Sequence, residues 1–168
     1  TLELLRDYPP YKVEVTLYGA SETSYRAVTQ RANQFELVLQ RMDALRASGT
    51  LVGLKSVALT LNRNDQPAIR AMAEERGCGE SFRSAAQITG RVDCRRGPEG
   101  YRMQIEEMLN DDRKVPGRVD EIRALYQRSL SFRPDRSRLF QCGAGRTEMV
   151  VDPYGKVQTC VLYRRESG

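Results

Sequence analysis

The run Leu51-Val-Gly-Leu-Lys-Ser-Val-Ala-Leu-Thr-Leu61 constrains the fold more than any other part of the chain. It is almost continuously apolar, yet far short of the roughly 18 residues that a membrane span needs. Alternation would mark a strand with one wet face. Near-continuity predicts a strand covered on both faces, as in a parallel sheet whose helical crossovers pack over it. The flanks fit that reading. Lys12-Val-Glu-Val-Thr-Leu-Tyr18 alternates, is rich in β-branched residues and stops at Gly19-Ala-Ser21, so it predicts an earlier strand. Between the two, Gln34 to Ser48 carries Phe35, Val38, Leu39, Met42 and Leu45 at helical spacing, closed by Gly49. After Leu61, Asn62-Arg-Asn-Asp65 predicts a turn with Asp65 as N-cap. Pro67 suits the first turn of a helix buried through Ile69, Met72 and Ala73 and ended by Gly77. Ser81 to Ile88 is a third strand. The order β-α-β-α-β with short connections predicts an α/β fold of parallel strands joined by right-handed crossovers.

The rest of the chain is less regular. A short helix is expected near Gln104 to Asn110, another from Pro116 to Arg128 on the spacing of Val119, Ile122, Leu125 and Tyr126, and a linker from Ser129 to Arg138. Glu148 to Val151 and Lys156 to Val161 flank Asp152-Pro-Tyr-Gly155, whose Asp, Pro and Gly suit the first, second and fourth positions of a type I turn. This predicts a hairpin with Cys142 before it and Cys160 on its second strand.

Histidine is absent, which removes Ser-His-Asp and Cys-His catalysis and the commonest nitrogen ligand of zinc from these residues. Net charge is +5, but the 27 basic residues are scattered rather than gathered on one element with interleaved aromatics. A solvated surface and no nucleic-acid partner are therefore expected. Leu2, Leu4 and Leu5 are interrupted by Glu3 and Arg6, so no signal peptide is read there. No membrane partner and a cytoplasmic setting are expected. In that setting Cys78, Cys94, Cys142 and Cys160 are thiols or metal ligands rather than disulfides.

Cys142 and Cys160 form the pair with a defined spacing, Cys-x12-Gly-x4-Cys through Gly155. A hairpin brings its outer ends together. Two thiolates held so suit zinc or an iron–sulfur cluster, and two reduced thiols in a small β unit fit the spacing as well. Gly143-Ala-Gly145 permits unusual dihedrals, with N–H groups turned toward cluster sulfides. Cys78, next to Gly77, reads as structural. Cys94 is either a pocket residue at the end of the third strand, where open α/β folds place ligands, or a buried inert thiol. Lys55 either reaches a ligand carboxylate or carries its ammonium to solvent. Glu106-Glu107 with Asp111-Asp112 reads as an exposed acidic flank sooner than as acid–base machinery.

Several segments, taken in order, resemble the radical SAM enzymes that carry a SPASM-type auxiliary iron–sulfur domain. Val13-Glu-Val-Thr-Leu-Tyr-Gly-Ala-Ser21 looks like their mid-barrel strand and turn, and Glu22-Thr-Ser-Tyr-Arg-Ala-Val-Thr29 resembles the segment after it. Lys55-Ser-Val-Ala-Leu-Thr-Leu-Asn62 is similar to the next strand and its terminal Asn. Phe82-Arg83 and Arg91-Val-Asp-Cys94 fit further on, as do Cys142-Gly-Ala-Gly-Arg146 and Val151-Asp-Pro-Tyr-Gly155. The family's Cys-x3-Cys-x2-Cys motif, which holds the cluster that cleaves S-adenosylmethionine, does not occur, nor do the later SPASM cysteines.

The resemblance therefore implies an internal slice of such an enzyme. Residues 1–115 would be the second half of a partial six-stranded (β/α)6 barrel of the TIM type. Residues 116–168 would be a connecting helix and the start of the SPASM-type domain. The implied parent activity is reductive cleavage of S-adenosylmethionine to a 5′-deoxyadenosyl radical, which modifies a peptide, protein or small-molecule substrate. Thr16, Tyr18 and Gly19 would border the S-adenosylmethionine pocket, Lys55 would meet a carboxylate inside the barrel, and Cys142 and Cys160 would ligate an auxiliary 4Fe-4S cluster. The slice alone would be inactive and would self-associate through exposed strand edges. A non-enzymatic α/β domain with a zinc-type or thiol hairpin is the rival reading, and half of a phosphate-binding barrel ranks below it.

Overall fold

The structure, a computed structural model, describes residues 2–79, 83–85, 97–138 and 141–161, with the backbone alone at 83–85. The chain divides into two compact units, Thr1–Ile88 with Glu99–Gln104 and Thr89–Pro98 with Ile105–Gly168.

The first unit is built on a three-stranded sheet. Strands β1 (Val13–Thr16), β2 (Val52–Val57) and β3 (Arg83–Ala85) lie side by side in chain order and are parallel. Helix α1 (Leu2–Asp7) precedes them, α2 (Glu22–Thr29) and α3 (Phe35–Ala47) join β1 to β2, and α4 (Gln66–Glu75) follows β2. Strands added in one direction by right-handed crossovers carry their helices on one face. The core agrees: Leu39 and Met42 of α3 and Ile69 and Ala73 of α4 pack with Val52 and Leu54 of β2 and with Leu17. Pairing of Val13 with Val52 and Val15 with Leu54 sets Val13 and Val15 on the same face. Leu17, Leu54 and Ile69 are wholly buried. Each such side chain stabilises the fold by roughly 1.5–3 kcal/mol.

The apolar run differs from expectation in two ways. Only Val52–Val57 is strand, and Leu51 and Leu61 are exposed. Beyond Val57 the chain turns toward another segment: Leu59 bridges Arg102, and the Thr60 N–H donates to the Tyr101 carbonyl at 3.0 Å. The strand is also not covered throughout, because Lys55 is exposed between buried Leu54 and Ser56. The pleat explains this, since Val52, Leu54 and Ser56 turn to the helices while Gly53 and Lys55 turn away.

Helix α3 lies within Gln34–Ser48, and Gly49 follows it at φ +84. Helix α2 had no stripe to announce it. Ser21 caps it by accepting the Ser24 N–H at 3.2 Å, while Ser24 Oγ accepts the Ser21 N–H at 3.2 Å. Pro67 lies in the first turn of α4, but Asp65 makes no side-chain cap there. Strand β3 holds the middle of the expected third strand. Ser81, Phe82 and residues 86–88 lie outside the described residues, as does the stretch Arg91 to Cys94.

The second unit contains α5 (Ile105–Arg113), α6 (Arg118–Ser131) and an antiparallel pair, β4 (Val150–Val151) and β5 (Val157–Gln158). Helix α6 runs past Arg128 into the expected linker. The hairpin turn forms as read: the Gly155 N–H donates to the Asp152 carbonyl at 3.0 Å, and Asp152 Oδ1 accepts from Tyr154 and Lys156 N–H groups at 2.8 and 2.9 Å. Among the described residues of this unit none is buried. Among the described residues of the chain no helix is long and apolar enough to cross a membrane.

Ile69 sits where α4 meets the sheet and is wholly buried. Ile69→Ala is expected to destabilise the first unit by about 2–5 kcal/mol, read as a lower urea midpoint at unchanged slope.

Candidate functional site

The loops that leave the C-terminal ends of β1 and β2 are tied together by side chains of the second loop. Asn62 is 2% exposed and uses three hydrogen bonds. Its Nδ2 donates to the Tyr18 carbonyl at 2.8 Å and to the Val57 carbonyl at 3.0 Å, and its Oδ1 accepts the Leu59 N–H at 2.8 Å. Asp65 Oδ2 accepts the Ala20 N–H at 2.8 Å. The residue expected to cap α4 thus holds the neighbouring loop instead. Gln66 Nε2 bonds Ser56 Oγ at 3.1 Å, which satisfies a buried hydroxyl on the helix side of β2.

Between the two tethered residues lies Gly19. A Cβ there would stand 2.4 Å from the Tyr25 nitrogen and 2.5 Å from Ser24 Oγ, so only glycine lets α2 start this close to β1. Tyr18 and Tyr25 meet edge to face at 6.1 Å, and Phe35 lies 6.2 Å beyond Tyr25. Glu22 fastens α3 to α2: its carboxylate accepts the Asn33 N–H and, at 3.0 Å, the Phe35 N–H. It places negative charge at the α3 N-terminus, where Gln34 makes no cap.

Thr16 and Lys55 are paired in the β1–β2 register and share the face turned away from the helices. Thr16 is half-buried and Lys55 exposed. Tyr18, by contrast, packs against the core cluster, so Thr16 and Tyr18 stand in two environments. An open cleft of about 380 Å³ lies against α2, lined by Glu22, Arg26 and Asn33 among others, and none of Thr16, Tyr18, Gly19 or Lys55 lines it.

Cys142 is exposed and Cys160 half-buried. The two ends of the hairpin segment approach each other: a Cβ on Gly145 would lie 3.2 Å from Thr159 Cγ2, beside Cys160. Arg146, Thr147 and Glu148 N–H groups all donate to the Gly143 carbonyl, and the Gly145 N–H donates to the Glu148 carbonyl. Among the described residues no group of three or more His, Cys, Asp or Glu side chains could hold a metal ion. Cys78 is buried in the core of the first unit, in keeping with a structural thiol. Cys94 lies outside the described residues. Asp111 and Asp112 are ion-paired with Lys114 at 2.7 Å and Arg118 at 3.0 Å, the arrangement of a surface flank.

No protein-family model, no curated protein and no solved structure matches the chain.

Sequence reading missed Asn62, Asp65 and Glu22 as fastenings. The only signal was a polar residue directly after an apolar strand, and the partner atoms are backbone groups distant in sequence. Asn62→Ala leaves the Leu59 N–H and the Tyr18 and Val57 carbonyls without this partner. It is expected to cost about 2–4 kcal/mol in urea denaturation. Burial first, then the Tyr18 and Glu22 charges, raise the Tyr25 pKa above the usual 10.0. The unfolded chain then releases this proton at lower pH than the folded one. The contribution is intact below pH 10 and is lost as pH rises through the folded value. Tyr25→Phe should flatten the fall of stability above pH 10, measured by denaturation at a series of alkaline pH values.

Proposed function

We propose that the chain is an internal part of a radical SAM iron–sulfur oxidoreductase, comprising barrel strands and the start of a SPASM-type domain. The observation that carries the reading is the sheet: three parallel strands in chain order, helices on one face, and Thr16 and Lys55 on the other. That is the local pattern of a (β/α) barrel, where the face away from the helices is the interior and the C-terminal strand ends carry the site. The ordered resemblances of Val13–Ser21, Lys55–Asn62 and Cys142–Gly155 support the same reading.

In this scheme Tyr18 and Gly19, fixed through Asn62 and Asp65, border the S-adenosylmethionine pocket, with Thr16 and Lys55 on its floor. Lys55 supplies a cation for a carboxylate of cofactor or substrate. The substrate is a peptide or a small molecule. Cys142 and Cys160 supply two thiolates toward an auxiliary 4Fe-4S cluster, a donor set that suits iron–sulfur chemistry but fills only part of it. Such a cluster, when bound, supplies electron transfer. The Cys-x3-Cys-x2-Cys motif is absent from the 168 residues, so this chain by itself does not start radical chemistry. Its β1 and β3 edges favour self-association.

The test is anaerobic iron and sulfide analysis with an absorption spectrum, on this chain and on the polypeptide extended by about 60–80 residues each way, a domain-scale addition. A brown extended protein that loses part of its iron on Cys142→Ala is the expected result. A colourless protein holding zinc or no metal would instead favour the small α/β domain with a zinc-type or thiol hairpin.

A further inference from the structure

We propose that α5 and α6 form an interface with the same two helices of a second copy of this chain, the acidic edges of α5 meeting the basic edges of α6 in each direction. The inference goes beyond the iron–sulfur reading, does not depend on it, and concerns a surface distinct from the strand edges. Helices α5 and α6 pack on one another and are tied by Arg118, whose Nε donates to Asp112 at 3.0 Å. Yet neither helix has a buried residue. On helical spacing Ile105 and Leu109 form an exposed apolar strip on α5, and Val119, Tyr126 and Leu130, with Leu125 beside them, form a longer one on α6. Helices of 9 and 14 residues are marginal in water unless such a face is covered.

Charge identifies the cover. Helix α5 holds four carboxylates and one arginine, a net −3. Residues 118–138 hold six arginines and three carboxylates, a net +3. The edges of the strips follow the same division: Glu106 and Asp111 border that of α5, while Arg123 and Arg128 border that of α6. Among the described residues Glu106 and Arg128 make no ion pair, and Arg123 meets exposed Asp120 on its own helix, a surface pair of little strength. An apolar strip with acidic edges beside one with basic edges is complementary to itself after a two-fold rotation, so each α5 faces an α6 of the other copy. The same rotation gathers four helices around one apolar centre, as in helix bundles. An anionic lipid surface would attract the α6 edges but repel those of α5, so a second copy fits both strips where a membrane fits one.

The experiment is sedimentation equilibrium of the purified full chain over a concentration series, at low and high salt. The expected result is a monomer–dimer equilibrium that weakens as salt rises. Leu125→Ala and Leu130→Ala remove exposed apolar contact and should each weaken dimerisation about tenfold. Glu106→Arg and Arg128→Glu should each weaken it about threefold, and the two together in one chain should restore it. That restoration keeps the test valid if a leucine variant loses helix, which circular dichroism reports. Three results overturn the inference. The first is a monomer at every concentration: if its α6 amides resist hydrogen exchange, the strip is covered by its own chain, and if it binds phosphatidylserine vesicles, the strip is covered by lipid. The second is a dimer unchanged by the leucine variants, which the strand edges would then hold. The third is a double reversal that restores nothing. No readout involves iron, so a colourless protein that dimerises through α6 would refute the iron–sulfur reading alone, and a brown monomer would refute this inference alone.

Discussion

Strand β2 is the element on which the first unit depends, because among the described strands it alone is hydrogen-bonded to a strand on each side. Its register sets β1 and β3 together. A slip of one residue would turn Val52 and Leu54 away from α3 and α4 and drive Lys55 into the core. Burying an unpaired ammonium among Leu39, Met42 and Ile69 would cost far more than any compensating contact returns. The lysine thus enforces the register that the valine and leucine favour, and the same alternation separates a packing face from the one that carries Thr16 and Lys55.

The C-terminal edge of the sheet is held by a different kind of force. Asn62 is buried, yet both its amide donors and its carbonyl oxygen are used, so its desolvation is offset bond by bond. One partner, Leu59, is on its own loop, one, Val57, ends β2, and one, Tyr18, is on the loop after β1. Asp65 adds a second tie to that loop through Ala20. The stretch Tyr18–Ala20 is therefore positioned by residues more than forty places away, while Gly19 lets α2 begin against it. These polar ties add to the packing of Tyr18 and Ala20 against the core, so the loop is held both by backbone groups and by apolar contact.

This division explains what the sequence disclosed. Burial periodicity marked α3, α4 and the central strand, because apolar spacing is a local property that the core simply uses. The Asp152–Gly155 turn was legible for the same reason, its bonds all being made within five residues. Helix α2 was not, since its stability rests on the Ser21–Ser24 box, on Tyr25 packed between Tyr18 and Phe35, and on the Glu22 link to α3. Those are relations between segments, and no stripe records them. Lys55 looked like an interruption of a buried strand. Only the register showed that it faces Thr16 and the first residue of β3.

The second unit obeys another balance. Leu125, Tyr126, Leu130 and Phe132 of α6 and its C-terminus are exposed, as are Met149, Val151 and Val157 around the hairpin. Strands of two residues cannot stand on ladder bonds alone. Ordering each backbone residue costs about 1–2 kcal/mol, and the described residues of this unit bury little apolar surface to offset it. Its polar turn and the bonds folded onto the Gly143 carbonyl define a shape but supply little net free energy. A thiophilic ion or cluster at Cys142 and Cys160 would close the hairpin from its open end, and its binding free energy would then be folding free energy. In the first unit a hydrophobic core holds the fold without a ligand. In the second, the proposed ligand and the fold would form together, so Cys142 and Cys160 would act on order before they act on redox chemistry.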